Sequence, residues 1–270
     1  MSSQQNDAKT WVRSVVGKHL PRTARSYRVA TYTGEANVSS LGLQLDLPPF
    51  EGKVVEVTEA WILMKAGRAA EFFVVSHSLV DNVPAVGDSV RITPYARRGF
   101  DGRRLDSPKV AIDNGVRIQS FVLGEHRSRL PLDTETLVCP ELCEMVDQIE
   151  QLRAPDGVRR LAQVLVDAGA GSMPIAYVDP APEDIIAKPP SLKFRVHTAK
   201  AEGWIEYRYD RGLDAYDMAL TDLGDALLKE AKSVFFDQIA EITTDWIDDG
   251  AWRVAKVEIL RSSKARSSAA

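Results

Sequence analysis

The chain has 270 residues, with 34 Lys and Arg against 38 Asp and Glu, which gives a formal net charge of −4. This composition is typical of a globular protein of up to two domains. The sequence has no apolar run long enough for a transmembrane helix, no apolar signal-peptide core after its polar start, and two cysteines. These features argue against a membrane protein, a secreted protein and a disulfide scaffold, and they predict a cytoplasmic location.

Charge is unevenly distributed along the chain. Residues 1–134 carry 18 basic and 14 acidic side chains, whereas residues 135–270 carry 16 basic and 24 acidic ones. Two solvated surfaces that differ by chance, or two different partners, would both explain this asymmetry. Only the first half has the sign that suits a polyanion.

The first half has the pattern of a small β domain. A disordered start over residues 1–9 and a short helix over 10–20 come first, and a basic stretch follows that contains Lys18, His19, Arg22, Arg25 and Arg28. Alternating apolar residues and turn signals predict strands over residues 27–33, 41–47, 53–57, 61–64, 72–76, 89–93 and 116–123. In the 41–47 strand, four leucines would form one inward face. Such a series favours a small antiparallel barrel or sandwich, SH3-like or OB-like.

The second half changes to helical spacing. The pattern predicts helices over residues 140–152, 156–168 and 214–246, the last being a long amphipathic helix. A short strand over residues 173–178, a hairpin of residues 192–198 and 204–209, and a final strand over 252–260 complete the prediction. The predicted fold class is therefore α+β, with an N-terminal tail and helix (1–20), a β-rich domain (21–133), an α+β domain (134–261) and a disordered tail (262–270).

Signatures of enzymes and metal sites are scarce. The sequence has no Gly-x-Ser-x-Gly nucleophile elbow, no Walker phosphate loop and no pair of histidines with metalloprotease spacing. Cys139 and Cys143 lie four residues apart and supply at most half of a zinc site, so ordinary buried thiols are the favoured interpretation. We therefore expect no catalytic residue, metal or cofactor. A non-enzymatic protein is favoured, with an enzyme of dispersed catalytic residues as the open alternative.

One segment of the first half has the composition of a nucleic-acid-binding loop. Arginine guanidinium groups can neutralise phosphates, and aromatic faces can stack on unpaired bases. Between residues 91 and 104, five arginines alternate with two aromatic residues; the candidate binding residues are Arg91, Tyr95, Arg97, Arg98, Phe100, Arg103 and Arg104. The alternatives are a solvated hairpin whose aromatic rings pack inward, and a contact with an acidic protein.

A set of glycines and β-core residues in this half carries a family resemblance. The residues are Gly52, Lys53, Val54, Val57, Gly67, Val74, Val75, His77, Leu79, Val86, Gly87, Val90, Ile92 and Tyr95. In this pattern, residues 51–102 resemble the KfrB domain of plasmid-encoded proteins and some conjugative relaxases. The resemblance implies a mobile-element accessory protein connected with DNA maintenance or conjugative transfer, and it implies no chemistry. His77 would be a core histidine if it faces inward, and a phosphate or partner contact if it faces outward.

Two functional hypotheses follow. In the first, the protein binds DNA, single-stranded or duplex, through the basic hairpin loop of residues 91–104. In the alternative, the acidic second half docks on a basic protein of the conjugation or DNA-processing machinery, as an interaction or inhibitor module. Neither hypothesis involves a membrane.

Overall fold

The computed structural model describes residues 3–67, 70–113, 116–120 and 127–263. The α-helices are α1 (Ser3–Val15), α2 (Pro140–Gln151), α3 (Leu161–Asp167) and α4 (Ile239–Ile247). The strands are β1 (Arg28–Tyr32), β2 (Asn37–Val38), β3 (Gln44–Leu45), β4 (Phe50–Val57), β5 (Trp61–Lys65), β6 (Glu71–Ser76), β7 (Ser89–Thr93), β8 (Lys109–Asp113), β9 (Val116–Ser120), β10 (Ala176–Val178), β11 (Ser191–His197), β12 (Glu202–Asp210), β13 (Ala215–Thr221), β14 (Leu227–Val234) and β15 (Lys256–Arg261). Within the described residues, no helix has both the length and the apolar character needed to cross a membrane.

The chain forms two compact units, and the mixed α+β class predicted from the sequence is confirmed. Unit 1 consists of Met1–Ala96 and Gly250–Ala270, and unit 2 of Arg97–Asp249. Unit 1 ends at Ala96, before the predicted division near residue 133, and it also includes the C-terminal strand β15, which pairs antiparallel with β7. Such a long-range pairing leaves no local signal in the sequence.

Unit 1 is built on a six-stranded sheet with the order β1-β6-β5-β4-β7-β15. All neighbours are antiparallel except β1 and β6, which run parallel. The predicted strands over residues 27–33, 53–57, 61–64, 72–76 and 89–93 are confirmed, with small shifts at their ends. The strands form an open sheet among the described residues, and the finer SH3-like or OB-like assignment stays a prediction.

Both faces of this sheet are buried. Ile62, Met64 and Phe73 contribute to a core on one face. On the other face, Leu63 and Phe72 pack against Ala8, Val12 and Val16 from α1 and the turn after it. Because successive side chains point to opposite faces, the uninterrupted apolar runs of β5 and β6 supply both cores. The predicted disordered start is therefore wrong from residue 3 onward: α1 begins there and covers the second face.

The predicted strand over residues 41–47 is also wrong. Only Gln44–Leu45 is a strand, paired with β2 in a separate two-stranded sheet. Leu41 and Leu45 are 83% and 52% exposed, so the leucines do not form one inward face. Gly42 has a φ of +76°, a left-handed conformation that interrupts the extended chain.

Unit 2 packs three helices against one face of a five-stranded antiparallel sheet with the order β10-β11-β12-β13-β14. Phe194, Ile205 and Met218 from the sheet meet Leu142 of α2 and Leu165 of α3 in its core. The predicted hairpin of β11 and β12 is confirmed, and so is α2, whose first residue is Pro140. Helix α3 is shorter than predicted because the residues before it form a turn capped by Asp156, whose carboxylate accepts hydrogen bonds from two backbone N–H groups.

The long amphipathic helix predicted over residues 214–246 is wrong. Strands β13 and β14 with the turn between them occupy residues 215–234, and the α-helix of this region is only Ile239–Ile247. Alternate residues of β13, namely Tyr216, Met218 and Leu220, are buried, which is the two-residue period of a strand. The Asp222 carboxylate accepts hydrogen bonds from the N–H groups of Gly224 and Ala226 and fixes the turn between the two strands.

Candidate nucleic-acid interface

The segment after β7 forms a short hairpin in unit 2. The Leu105 N–H donates to the Arg97 carbonyl at 3.0 Å, and the Gly99 N–H donates to the Arg103 carbonyl at 3.0 Å. Gly102 closes the turn with a φ of +73°, a backbone conformation that residues other than glycine rarely adopt. The backbone therefore holds the predicted basic loop in a defined turn.

Both aromatic residues of the predicted site lie in apolar cores. Tyr95 belongs to unit 1, where its ring packs edge-on against Trp252 with the ring centroids 4.7 Å apart. Phe100 belongs to unit 2 and packs against its core, 6.4 Å from the ring centroid of Phe194. Both rings are partly buried and packed against a core, which favours the inward-packing alternative at these two positions.

Three of the five predicted arginines have structural partners. The Arg91 guanidinium lies 2.5 Å from the Glu51 carboxylate and 3.0 Å from that of Glu258, and the hydrogen bond to Glu51 raises the pKa of Arg91. Arg97 is only 3% exposed. Arg104 makes a two-pronged contact with Asp106 at 2.6 and 2.8 Å. These side chains stabilise the local fold.

Arg98 and Arg103 point to solvent. The Arg98 guanidinium donates to the Gly102 carbonyl at 2.8 Å, and the Arg103 side chain is 84% exposed with Asp101 at 3.8 Å. The Ser128 hydroxyl donates to the Arg98 carbonyl, which places the neighbouring residue Arg129 near the hairpin. The exposed Arg129 side chain pairs with Glu150 at 2.7 Å. The hairpin thus offers two exposed cations beside nearby carboxylates.

A second basic surface, which the loop-based hypothesis did not use, lies in unit 1. We call residues 18–28 the basic segment; its exposed cations are Lys18, Arg22, Arg25 and Arg28. The signal that marks it is local charge: between Asp7 and Glu35 the sequence has six Lys and Arg and no acidic residue. The hairpin, by contrast, carries Asp101 and Asp106 among its arginines.

The basic segment is fixed to one end of the unit 1 sheet. The Lys65 Nζ at the end of β5 donates to the His19 carbonyl at 2.6 Å, and the His19 imidazole lies 2.9 Å from the Glu56 carboxylate. At the other end of the segment, the Arg28 N–H donates to the Ala70 carbonyl at 2.9 Å. Since β5 and β6 are joined at this end, the segment runs along the β5–β6 turn.

The cations at this end of the sheet have few carboxylates near them. Arg28 is 87% exposed and lies 3.3 Å from Glu71. A turn in which the Ala24 N–H donates to the Pro21 carbonyl holds Arg22 at its second position. The exposed Lys53 lies opposite Lys65 in the β4–β5 ladder and adds another positive charge at the same end.

His77 and the two cysteines lie outside both basic surfaces. His77 is half-buried at the start of a 3-10 turn after β6. Cys139 and Cys143 are free thiols at the start of α2, and burial raises the pKa of both. Among the residues that the structure describes, no three His, Cys, Asp or Glu side chains converge in a metal-binding arrangement.

No protein-family model matches the chain, and no curated protein or solved structure matches it. The resemblance of residues 51–102 to the KfrB domain therefore stays a prediction. Most of the residues that carry it lie on or beside β4, β5, β6 and β7 of unit 1.

Proposed function

We propose that the protein binds nucleic acid through the basic segment of unit 1. The observation that carries this proposal is the exposed, acid-free run of positive charge that the β5–β6 end of the sheet holds in place. Phosphate contacts by Lys and Arg release condensed counterions, and this release drives nucleic-acid binding that does not depend on sequence. The resemblance to the KfrB domain supports a role in plasmid or mobile-element DNA maintenance or transfer.

The charges of the two units support the same assignment. Unit 1 carries 15 basic and 10 acidic residues, whereas unit 2 carries 19 basic and 28 acidic ones. A polyanion is attracted to the first unit and repelled by the second. Arg98 and Arg103 add two phosphate contacts at most, because they lie in the acidic unit and the other predicted residues of the hairpin are engaged elsewhere.

The experiment is a titration of a labelled DNA duplex with the full-length protein, followed by fluorescence anisotropy at about 50 mM and about 200 mM salt. The variant Arg22→Ala/Arg25→Ala removes two cations of the basic segment. We expect it to weaken binding at least about tenfold at the lower salt and to reduce the salt slope by about 2. The matched control is Arg208→Ala/Arg211→Ala, since these arginines are about half exposed and lie in unit 2. Equal losses in the two variants would contradict the proposal.

A second candidate function is docking of a basic protein segment on unit 2. Five large apolar side chains are more than half exposed on the β13–β14 turn, on the edge strand β14 and just after it: Leu223, Leu227, Leu228, Phe235 and Phe236. Phe236 also lines a groove of about 380 Å³ along α2, together with the carboxylates of Glu144 and Asp147. An apolar anchor beside negative charge suits an amphipathic basic helix or strand.

This second function is tested with a synthetic peptide of alternating lysine and leucine. We expect the full-length protein to bind the peptide in a salt-sensitive manner, and the Phe235→Ser/Phe236→Ser variant to lose most of that binding. The control is Leu41→Ser, which removes a still more exposed apolar side chain from the other unit. Unchanged binding by the double variant would rule the groove out.

A further inference from the structure

We infer that the basic segment takes the backbone of a double helix in preference to a single strand, without regard to base sequence. This inference rests on the proposed function and names the class of nucleic acid that the same surface accepts. Three features of unit 1 carry it: the placement of its aromatic rings, the anchoring of the segment at both ends, and the residue types that the segment lacks.

The aromatic rings of unit 1 are all engaged in packing. Single-strand sites place exposed aromatic rings along a basic groove, so that unpaired bases can stack on them. Unit 1 has nine aromatic residues, and all of them are buried or partly buried: Trp11, Tyr27, Tyr32, Phe50, Trp61, Phe72, Phe73, Tyr95 and Trp252. Tyr27, the aromatic residue of the basic segment itself, packs edge-on against Phe72 with the ring centroids 6.1 Å apart. Base stacking at this surface would require unpacking of the core.

The basic segment is held at both ends before any ligand arrives. Lys65 and Glu56 fix His19, and the Ala70 carbonyl fixes the backbone of Arg28. Cations on a backbone anchored at both ends lose less conformational entropy on meeting a rigid array of phosphates than cations on a free loop would. A duplex is such an array, and it presents one charge per about 1.7 Å of helix axis, twice the density of one of its strands. A short cluster of four cations therefore meets more phosphates on a duplex.

The segment lacks four of the residue types that read base edges, so its Lys and Arg side chains are left to contact phosphates or guanine. Asn and Gln recognise adenine by paired hydrogen bonds, and Asp and Glu accept from cytosine. None of these four residue types occurs between residues 8 and 34. Contacts through Lys and Arg to phosphates position a protein on the duplex but carry no sequence information.

The test compares full-length protein on five labelled probes at about 50 mM salt: two DNA duplexes of unrelated sequence, one RNA duplex, one DNA strand taken from the first duplex, and polyglutamate. We expect the DNA duplex to bind at least about tenfold more tightly than its strand, and the two DNA sequences to agree within about threefold. The RNA duplex shows whether the site accepts any double helix or only DNA. Tighter binding of the DNA or the RNA duplex than of the single strand supports the inference. Arg22→Ala/Arg25→Ala should lower binding to every duplex that binds.

Three results would overturn the inference. They are a strand that binds as tightly as its duplex, DNA duplexes that differ strongly by sequence, and polyglutamate that binds as tightly as DNA, which would indicate an acidic protein partner. Each of the first two leaves nucleic-acid binding in place and removes only the duplex-backbone inference. Absence of binding to all the nucleic acids at low salt would remove the proposed function as well.

Discussion

The two units of this protein use their arginines in different ways. In unit 2, Arg159 is completely buried and pairs with Asp156, Asp167 and Asp248 at 2.9, 3.0 and 2.5 Å. In unit 1, Arg22 and Arg25 are exposed and have no ion pair among the described residues. A cluster of arginines in a sequence therefore does not by itself indicate a binding surface. What separates a structural arginine from one free to meet a ligand is whether carboxylates of the same fold reach it.

Loss of the buried Arg159 network should lower stability most. Burial would lower the pKa of Arg159, but the carboxylates of Asp167, Asp156 and Asp248 outweigh that effect and raise it. The substitution Arg159→Met leaves three carboxylates around a buried site without their counter-charge. We expect unit 2 to lose about 3–5 kcal/mol of stability, measured by urea unfolding. Arg28→Met, at an 87% exposed arginine of unit 1, is the control and should leave stability unchanged.

Hydrogen exchange locates the effect of Arg159→Met. Amides of α3 and α4 should exchange faster in the variant, because Asp167 ends α3 and Asp248 follows α4. Faster exchange in unit 1, or a stability equal to that of the wild type, would contradict the assignment of this arginine to unit 2 alone.

The next effect is an alkaline loss of stability to which Tyr32 of unit 1 contributes, beside Tyr207 and Tyr216 of unit 2, whose pKa values burial also raises. Burial raises the pKa of Tyr32 from 10 to about 12, and its hydroxyl donates to the Arg253 carbonyl at 2.7 Å. Between these two values the unfolded chain releases the phenol proton while the folded chain keeps it. Stability should therefore fall by about 2–3 kcal/mol as pH rises from 10 to 12.

Tyr32→Phe tests the origin of this alkaline loss. The variant should be less stable at neutral pH because the Tyr95 N–H and the Arg253 carbonyl lose their partner, and it should show a flatter decline between pH 10 and 12. Unfolding curves collected across this pH range make the comparison. An unchanged slope would assign the loss to other tyrosines.

A smaller change in stability tests whether the Tyr95 ring serves core packing or base stacking. Its ring packs against Trp252 and the unit 1 core, so Tyr95→Leu should destabilise the protein by about 1–3 kcal/mol. At temperatures where the variant remains folded, we expect its DNA affinity to equal that of the wild type. A selective loss of single-strand affinity would instead restore Tyr95 as a stacking platform.

The smallest effect compares two adjacent arginines of the hairpin. Arg104 is 23% exposed and bound to Asp106, whereas Arg103 is 84% exposed. Arg104→Ala should cost about 0.5–1.5 kcal/mol in thermal or urea unfolding, because the Asp106 carboxylate loses a charge-assisted contact. Arg103→Ala should leave stability unchanged. The reverse order would mean that the hairpin has a different structure in solution.

The sequence predicted well the elements whose pattern is local. Strand β7 was placed at its observed ends, and α2 within one residue, because period-two alternation and Pro140 at a helix start act over a few residues. The helix predicted over residues 214–246 was wrong because the spacing of Leu220, Leu223 and Leu227 fits a helical stripe as well as a hairpin. The turn between the strands was readable in Asp222, whose side chain caps it.

The candidate site was predicted less well than the fold. The composition of residues 91–104 favoured the hairpin as the binding site. Composition cannot show that Asp106 binds Arg104, or that Glu258, far along the chain, binds Arg91. Those pairings depend on tertiary structure, and the second requires β15 to reach β7. The acid-free run from residue 8 to 34 was visible in the sequence, but only the structure showed that its middle part, residues 18–28, lies along one end of a sheet.

The most direct measurement is amide hydrogen exchange of the full-length protein with and without a short DNA duplex. We expect slower exchange in residues 16–28 and around the β5–β6 turn, with little change in the hairpin of residues 97–105 and in the 222–236 region of unit 2. Protection confined to residues 97–105 would return the site to the hairpin. Protection of neither region at low salt, where phosphate contacts are strongest, would contradict nucleic-acid binding by this protein.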